Sequence, residues 1–467
     1  MTTATTAPQT IPGPRGLPGL GWRANILKMY LNPFAYLRWL HDTYGDVVAL
    51  AQGDPSNVVA FGPALNFRLL SDPDLFRNDA GPFKFSDDTA FGRLMQNNLP
   101  TMNGEKHRQH RRLMQPAFHR QQVTHYRDDM VMLTQSMLDS WQGRTEIDAA
   151  TEMKLLTQRI AVKTLFGLYD ETGVERMGKL LLRMTRSMLL VMIAPVNIPG
   201  TPYHRVLGIV GEMEAMMRSL IAQKRQQSEA TDVLAALVHA YDEGGVQLSD
   251  EELMGHAITL FVAGHETTAN TLAWIIFLLD QHPRVQADLL DELSDVLHGE
   301  APTIEQLKQL PLLDSVVKEG LRLLPPAAIG TRATSTPCEL GGFELPKGAN
   351  VVYSEFVTHR LPQLYEEPDR FKPERWATLD RSPYEYLPFS AGRHMCIGAA
   401  FATQELKVVI AMLLQHYRLA IVPNSRIAAN ISMRPIPGLP VRVFPQDRQF
   451  QRAPIRGSIQ QLVDLAQ

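Results

Sequence analysis

Between Ser249 and Pro283 the sequence carries one unbroken helical pattern, and this stretch constrains the fold more than any other. Ser249 followed three residues later by Glu252 is a capping-box signature, and His282-Pro283 stops the run. The roughly 30 residues between them make a rod of about 45 Å at ~1.5 Å per residue, long enough to cross a whole domain. Its centre reads Ala263-Gly264-His265-Glu266-Thr267-Thr268. Gly264 weakens a helix by about 1 kcal/mol relative to Ala, and adjacent β-branched threonines add strain. The Thr267 hydroxyl is placed to bond the carbonyl of Ala263 and bend the helix. On the helix alone, a kinked core element with a few polar side chains facing solvent is the simpler reading. The functional alternative is a widened groove in which Ala263 and Gly264 make room for a small molecule while Glu266 and Thr267 supply protons. A zinc-protease HExxH site fails, because position 269 is Ala. A membrane span fails too: Leu260 to Leu279 contains His265, Glu266, Thr267, Thr268 and Asn270, short of the ~20 uninterrupted apolar residues required.

The rest of the 467-residue chain matches a large, mostly helical unit. From about Glu105 to Leu324 almost every long window is helical, and Pro33–Tyr44 places Phe34, Leu37 and Leu40 at helix spacing. Asp46–Ala51 and Asn57–Phe61 form a plausible hairpin around Gly53-Asp54-Pro55. Short strands are expected near Asn350–Ser354 and Pro440–Phe444, and a helix from about Ile397 to His416. The expected class is therefore mainly α with small β-sheets: a flexible Pro/Thr-rich arm over residues 1–20, then a single domain over 21–467. GLPGLG at 16–21 has Pro18 inside and no preceding strand, so it is not a dinucleotide loop. An apolar fraction of 45% excludes disorder, and 46 basic against 49 acidic residues argue against nucleic acid as a main partner. The first twenty residues lack the charged and apolar regions of a signal peptide. Two cysteines, Cys338 and Cys396, exclude a disulfide framework, an all-thiolate zinc site and an iron–sulfur cluster held by four thiolates. A cytoplasmic, reducing setting is the default expectation.

Cys396 sits in an unusual loop, Phe389-Ser390-Ala391-Gly392-Arg393-His394-Met395-Cys396-Ile397-Gly398, just before a helix start. Gly392 and Gly398 free the backbone, while helix-terminal amides and the dipole favour a thiolate. A lone cysteine is more often a small buried apolar residue. The glycine bracketing shifts this one towards a reactive or metal-bound sulfur.

The loop resembles FxxGx(R/H)xCxG, the haem-binding signature of the cytochrome P450 superfamily, with every fixed position filled. Other motifs follow in that family's order. AGHET at 263–267 resembles its acid–alcohol pair, Glu319-Gly320-Leu321-Arg322 its ExxR, and Phe371-Lys372-Pro373-Glu374-Arg375-Trp376 its PERF/PERW element. The run Gly104–Arg112, with His107 and Arg111, looks like the HxxxR variant of bacterial members. The resemblance implies one large fold of that superfamily with the long helix over haem b. It makes Cys396 the axial ligand of iron and the source of electron push for O–O cleavage. His107, Arg111, Arg332 and His394 are the implied partners of the haem propionates, within a cofactor site that also includes Phe389, Gly392 and Gly398. Glu319, Arg322 and Arg375 are implied structural support, and Glu266 and Thr267 the proton-delivery pair. Thr358-His359-Arg360-Leu361-Pro362 departs from the family's HRDP by carrying Leu361 for Asp, which puts local surface contacts in doubt.

The substrate pocket is expected from Phe85, Phe91, Leu94 and Met95, from the Met188–Ile193 stretch including Met192, from Phe261, Val262 and Ala263, and from Ala327, Ala328 and Ile329. Such an apolar lining suits a terpenoid, polyketide or fatty acid. The expected reaction inserts one oxygen atom of O2 into that substrate, giving a hydroxyl or epoxide. No part of the chain is left for a flavin or ferredoxin module. Electrons are expected from a separate ferredoxin or flavoprotein docking near Arg111 and Arg112, with no nucleic acid, no transmembrane anchor and a monomeric chain. The rival readings are a peroxygenase or rearranging haem-thiolate enzyme, which has little use for Glu266-Thr267, and a non-catalytic haem sensor.

Overall fold

The computed structural model describes residues 10–465 except 20, 79–87, 169–172, 174–175, 181–182, 185–186, 188–190, 192–195, 228–231 and 243. Its central element is the helix Asp250–Gln281, 32 residues long. Both halves of the capping box form: the Glu252 amide donates to the Ser249 hydroxyl at 3.3 Å, and the Ser249 amide donates to the Glu252 carboxylate at 3.1 Å. Every residue from Thr268 to Gln281 is buried, and the polar Asn270, Asp280 and Gln281 among them hydrogen-bond to the Ser432 carbonyl, the Ile421 amide and the Ala453 carbonyl. The helix packs most extensively against Ala149–Phe166, and also against Pro311–Leu323 and Ala399–His416. The Thr157 hydroxyl donates to the carbonyl of His265 at 2.9 Å, tying the first of these neighbours to the polar centre.

The molecule is mainly α with small β-sheets. The largest sheet has five strands in the spatial order Val47–Ala49, Asn57–Ala60, Asn350–Tyr353, Gly330–Thr334, Phe76–Arg77. The first two form the expected hairpin, with Val47 opposite Ala60. Asn57–Ala60 then runs parallel to Asn350–Tyr353, so the beginning of the chain is sewn to its second half. Gly330–Thr334 pairs antiparallel with Asn350–Tyr353, placing Arg332 opposite Val351. A three-stranded sheet of Glu146–Asp148, Pro440–Pro445 and Tyr417–Ile421 closes the far side.

Two expectations change. The segment over residues 11–14 is docked against the first strand region and not a loose arm: the amides of Ala49, Gln52 and Gly53 donate to the carbonyls of Pro12, Pro14 and Ile11 at 2.8, 2.9 and 3.0 Å. Ile11 is buried because it fills the small core beneath the sheet. Residues 1–9 lie outside the described residues. Leu361 also costs nothing locally. Its side chain is buried in the core, and Asp369 supplies the carboxylate for Arg360 at 3.0 Å.

Candidate functional site

The Cys396 loop is held by its own backbone. Gly392 has φ +69, and a Cβ there would stand 2.0 Å from the carbonyl oxygen of Leu70. Only glycine fits that turn. The Cys396 amide donates to the Phe389 carbonyl at 2.8 Å, and Arg111 Nη1 donates to the Met395 carbonyl at 2.7 Å. Gly398 behaves differently from expectation. It has φ −89, which any residue can adopt, and a Cβ there would lie 4.0 Å from the Cys396 sulfur. Its amide, not its freedom, serves the site, by hydrogen-bonding the sulfur.

The thiol's ionisation also differs from the helix-terminus argument. Burial pushes Cys396 above the usual thiol value, with the Gly398 amide and Arg111 opposing. Desolvation by surrounding protein outweighs one amide and one cation. A coordinated metal cation would oppose that shift and stabilise the thiolate.

Two adjoining cavities, of about 290 Å³ and about 310 Å³, lie between the long helix and this loop. Leu260, Ala263, Ala327, Glu355, Ser390, His394 and Cys396 border both. The first is largely apolar, with Phe118, Leu165, Leu321, Phe401 and Leu406 in its wall beside Phe389 and Gly398, and Thr267 opens into it. The Thr267 hydroxyl donates to the Ala263 carbonyl at 2.7 Å, and Thr268 does the same to Gly264 at 2.9 Å. A Cβ on Gly264 would meet nothing within 4 Å, so that glycine faces open space. Glu266 is turned away. It borders neither cavity and faces Lys154 at 3.8 Å, because adjacent helical residues point about 100° apart.

The second cavity gathers His107, Arg111, Arg332 and His394 from three separate elements. His107 and Arg111 come from one face of the Gly104–Met114 helix, Arg332 from the sheet, and His394 from the cysteine loop. The rings of His107 and His394 lie 3.9 Å apart, and Asn78 contacts His394 Nδ1 at 3.0 Å. Burial, reinforced by nearby cations, pushes His107 down to about 4 and His394 to about 3, so both are neutral. The acid bordering this space is Glu355, which burial holds well above the usual carboxyl range despite Arg332. Two guanidiniums thus meet a cavity whose carboxyl is biased by burial towards its neutral form. This donor set fits a flat dianionic group carrying a metal: His107, Arg111, Arg332 and His394 would hold its carboxylates and Cys396 its metal.

Beneath the loop, Glu319 is fully buried and accepts five hydrogen bonds: Arg322 Nε at 2.9 Å and Nη2 at 2.8 Å, Arg375 Nε at 3.1 Å, Trp376 Nε1 at 2.9 Å and the Lys372 amide at 3.0 Å. Burial alone would raise its pKa, but Arg322 and Arg375 overcome this and hold the carboxylate below its usual range. Arg322 also donates to the carbonyls of His359, Pro368 and Arg370.

Of the expected pocket residues, Ala263, Ala327 and Ile329 border the cavities. Phe91, Leu94, Met95, Phe261, Val262 and Ala328 border neither. Phe91 packs on Tyr203 and Phe261 on Phe166, each filling a helix contact of the core, while Ala328 is fixed by its carbonyl bonds to Phe356 and Ser354. Leu94 lies in a small gap beside Val210 and Met254, and Met95 and Val262 pack partly buried against the core. Phe85 and Met192 lie outside the described residues. The sequence reading missed Leu260, His256 and Glu355. The seven-residue spacing from His256 to Ala263 puts both on one helical face and was the available signal.

The whole arrangement has relatives. The cytochrome P450 family model matches residues 12–437. Cyclooctat-9-en-7-ol 5-monooxygenase of Streptomyces melanosporofaciens is 32% identical, over 88% of this chain and 90% of that protein. Pentalenene oxygenase of Streptomyces avermitilis is 30% identical, over 89% of this chain and 92% of that protein. Among solved structures, a retinoic acid-bound cyanobacterial CYP120A1 superposes with a TM-score of 0.80 at 26% identity, covering 94% of this chain and all of that one. A cysteine loop facing the long helix across a shared cavity, in a fold shared along nearly the full chain, leaves one conclusion: the chain belongs to the cytochrome P450 family and is a haem-thiolate monooxygenase whose cofactor is haem b.

Proposed function

We propose that Cys396 is the thiolate ligand of the haem iron, that His107, Arg111, Arg332 and His394 bind the propionates, and that the substrate is a lipophilic molecule of the terpenoid class. The observation carrying this reading is that Cys396 and Thr267 open onto the same largely apolar cavity. Bound haem supplies the one-electron and O2 chemistry. The protein's own task is to hold protons and exclude bulk water. The Thr267 hydroxyl, already donating to Ala263, keeps its lone pairs for a cavity water that it orients. Glu266 stands beside Lys154 on the flank and passes protons inward only by leaving that partner. The names of two relatives carry the terpenoid proposal: one acts on cyclooctat-9-en-7-ol and another on pentalenene. Electrons come from a separate ferredoxin or flavoprotein docking on the Cys396 side near Arg111 and Arg112. We place the enzyme in the cytoplasm as a monomer with a single haem domain that takes in the docked segment over residues 11–14. Among the described residues no helix is long and apolar enough to cross a membrane.

The test is a titration of the ferric holoenzyme with a terpenoid library, read as the haem spin-state change, followed by turnover under labelled O2. One labelled oxygen atom in the product is expected, with electrons supplied by a ferredoxin pair. No spin-state response to any terpenoid, or unlabelled product, contradicts the proposal. Thr267→Ala should bind the same ligands with similar affinity while diverting most electrons to hydrogen peroxide. Unchanged coupling removes Thr267 from the mechanism.

A further inference from the structure

A chain of polar groups runs from the protein surface to the second cavity and ends on an atom with no partner. Lys106 and Glu252 sit at its outer end, with Lys106 Nζ 3.1 Å from the carboxylate. His110 Nε2 lies 3.4 Å from the same Glu252 oxygen. His110 Nδ1 then meets His256 Nε2 at 2.8 Å. His256 is fully buried on the long helix, borders the cavity with Leu99, Pro100, Thr259 and Leu260, and its Nδ1 has no hydrogen-bond partner.

The charge on Glu252 decides which nitrogen carries each proton. A carboxylate only accepts, so its charge favours the hydrogen of His110 on the facing Nε2. Burial is the largest effect on each imidazole and favours its neutral form, pushing His256 down to about 3 and lowering His110 against the pull of Glu252. Neutral His110 therefore presents a bare Nδ1, and His256 must donate to it from Nε2. That leaves Nδ1 of His256 without hydrogen: a fixed acceptor beside Leu99, Pro100 and Leu260 in the cavity wall. A haem propionate cannot satisfy it, because a carboxylate has no proton to give. The other histidine of the long helix, His265, has an acceptor for Nδ1 in the Phe261 carbonyl at 2.8 Å.

We propose that His256 is a substrate-anchoring residue whose Nδ1 accepts a hydrogen bond from a hydroxyl group already present on the lipophilic substrate. The proposal rests on the monooxygenase reading above and narrows it: the substrate is an alcohol, supplied by an earlier hydroxylation or by a cyclisation quenched with water, and not a bare hydrocarbon.

The experiment compares matched probes on the ferric holoenzyme: menthol with p-menthane, and cedrol with cedrane, each titrated by spin-state change. The wild type should bind each alcohol about tenfold more tightly than its hydrocarbon, or ~1.4 kcal/mol. His256→Phe should lose about tenfold for the alcohols and leave the hydrocarbons unchanged. Equal binding of alcohol and hydrocarbon by the wild type, as when a resident water satisfies Nδ1, or a preference that survives in His256→Phe, overturns the inference. Hydrocarbon binding without alcohol preference overturns this inference alone, whereas no response to either class contradicts the terpenoid reading as well. A second measurement is independent of the variant's folding. In the diamagnetic ferrous carbon-monoxide form, nitrogen-15 spectra of histidine-labelled protein should show a bare Nδ1 and a protonated Nε2 on His256. The opposite tautomer overturns the proposal.

Discussion

At the scale of single residues, two glycines that look equivalent in the sequence do different work. Gly392 is fixed by its left-handed φ and by the Leu70 carbonyl, so Gly392→Ala forces the cysteine loop to move. We expect it to cost about 1–3 kcal/mol or more in denaturant unfolding of the holoenzyme. Gly398→Ala, with ordinary φ and 4.0 Å of room at the Cys396 sulfur, should cost under about 1 kcal/mol. Equal losses would mean the loop is not held by the Leu70 contact. Gly264→Ala is a third case. It should stabilise the long helix by about 0.5–1 kcal/mol, because a methyl there meets no atom, while weakening ligand binding by filling cavity space. A stability gain with unchanged ligand affinity would place that methyl outside the substrate's path. The cysteine loop was legible because its signature is local and dense. The direction of the Cys396 ionisation was not, because desolvation depends on everything packed around the sulfur.

At the scale of elements, the Pro311–Leu323 helix and the segment carrying His359 form one buried polar frame under the cysteine loop. Glu319→Gln leaves Arg322 buried without its countercharge and should cost about 3–5 kcal/mol in urea unfolding. A cost below ~1 kcal/mol would show that the carbonyls of His359, Pro368 and Arg370 suffice to hold the guanidinium. The pH dependence has a definite sign. Burial, then Arg322 and Arg360, push His359 from 6.5 to about 3, while its Nε2 accepts from the Leu387 amide at 2.7 Å. The unfolded chain therefore binds this proton first, and stability falls as pH drops from about 6.5 towards about 3, by ~1.4 kcal/mol per unit within that window. Unfolding measured at pH 7.5, 6 and 5 should show the slope, and His359→Leu should lower it by one proton's worth. Spacing alone indicated the helix carrying Glu319 and Arg322, since Pro325-Pro326 follows it and their separation of three sets one face. Which way Glu266 turns, and which phenylalanines reach the cavity, were not legible. Helical period fixes relative directions along one element but not which neighbour, Lys154 or Phe166, covers each face.

At the scale of the whole molecule, the parallel pairing of Asn57–Ala60 with Asn350–Tyr353 and the long helix make the haem site a product of distant segments. His107, Arg332 and His394 lie far apart in sequence yet border one cavity, which is why the site needed a family resemblance to be assembled from sequence. Cys338 is set apart from it in the small Cys338–Leu340 hairpin strand, half-buried, and borders neither cavity. This separation makes the two cysteines a matched pair for testing the central assignment. The measurement is the absorption spectrum of the reduced carbon-monoxide complex of the wild type, Cys396→Ala and Cys338→Ala. Ligation by Cys396 predicts the red-shifted Soret band of a haem thiolate in the wild type and in Cys338→Ala, and its loss in Cys396→Ala. A band typical of histidine ligation in the wild type, or a thiolate band that survives in Cys396→Ala, would contradict it.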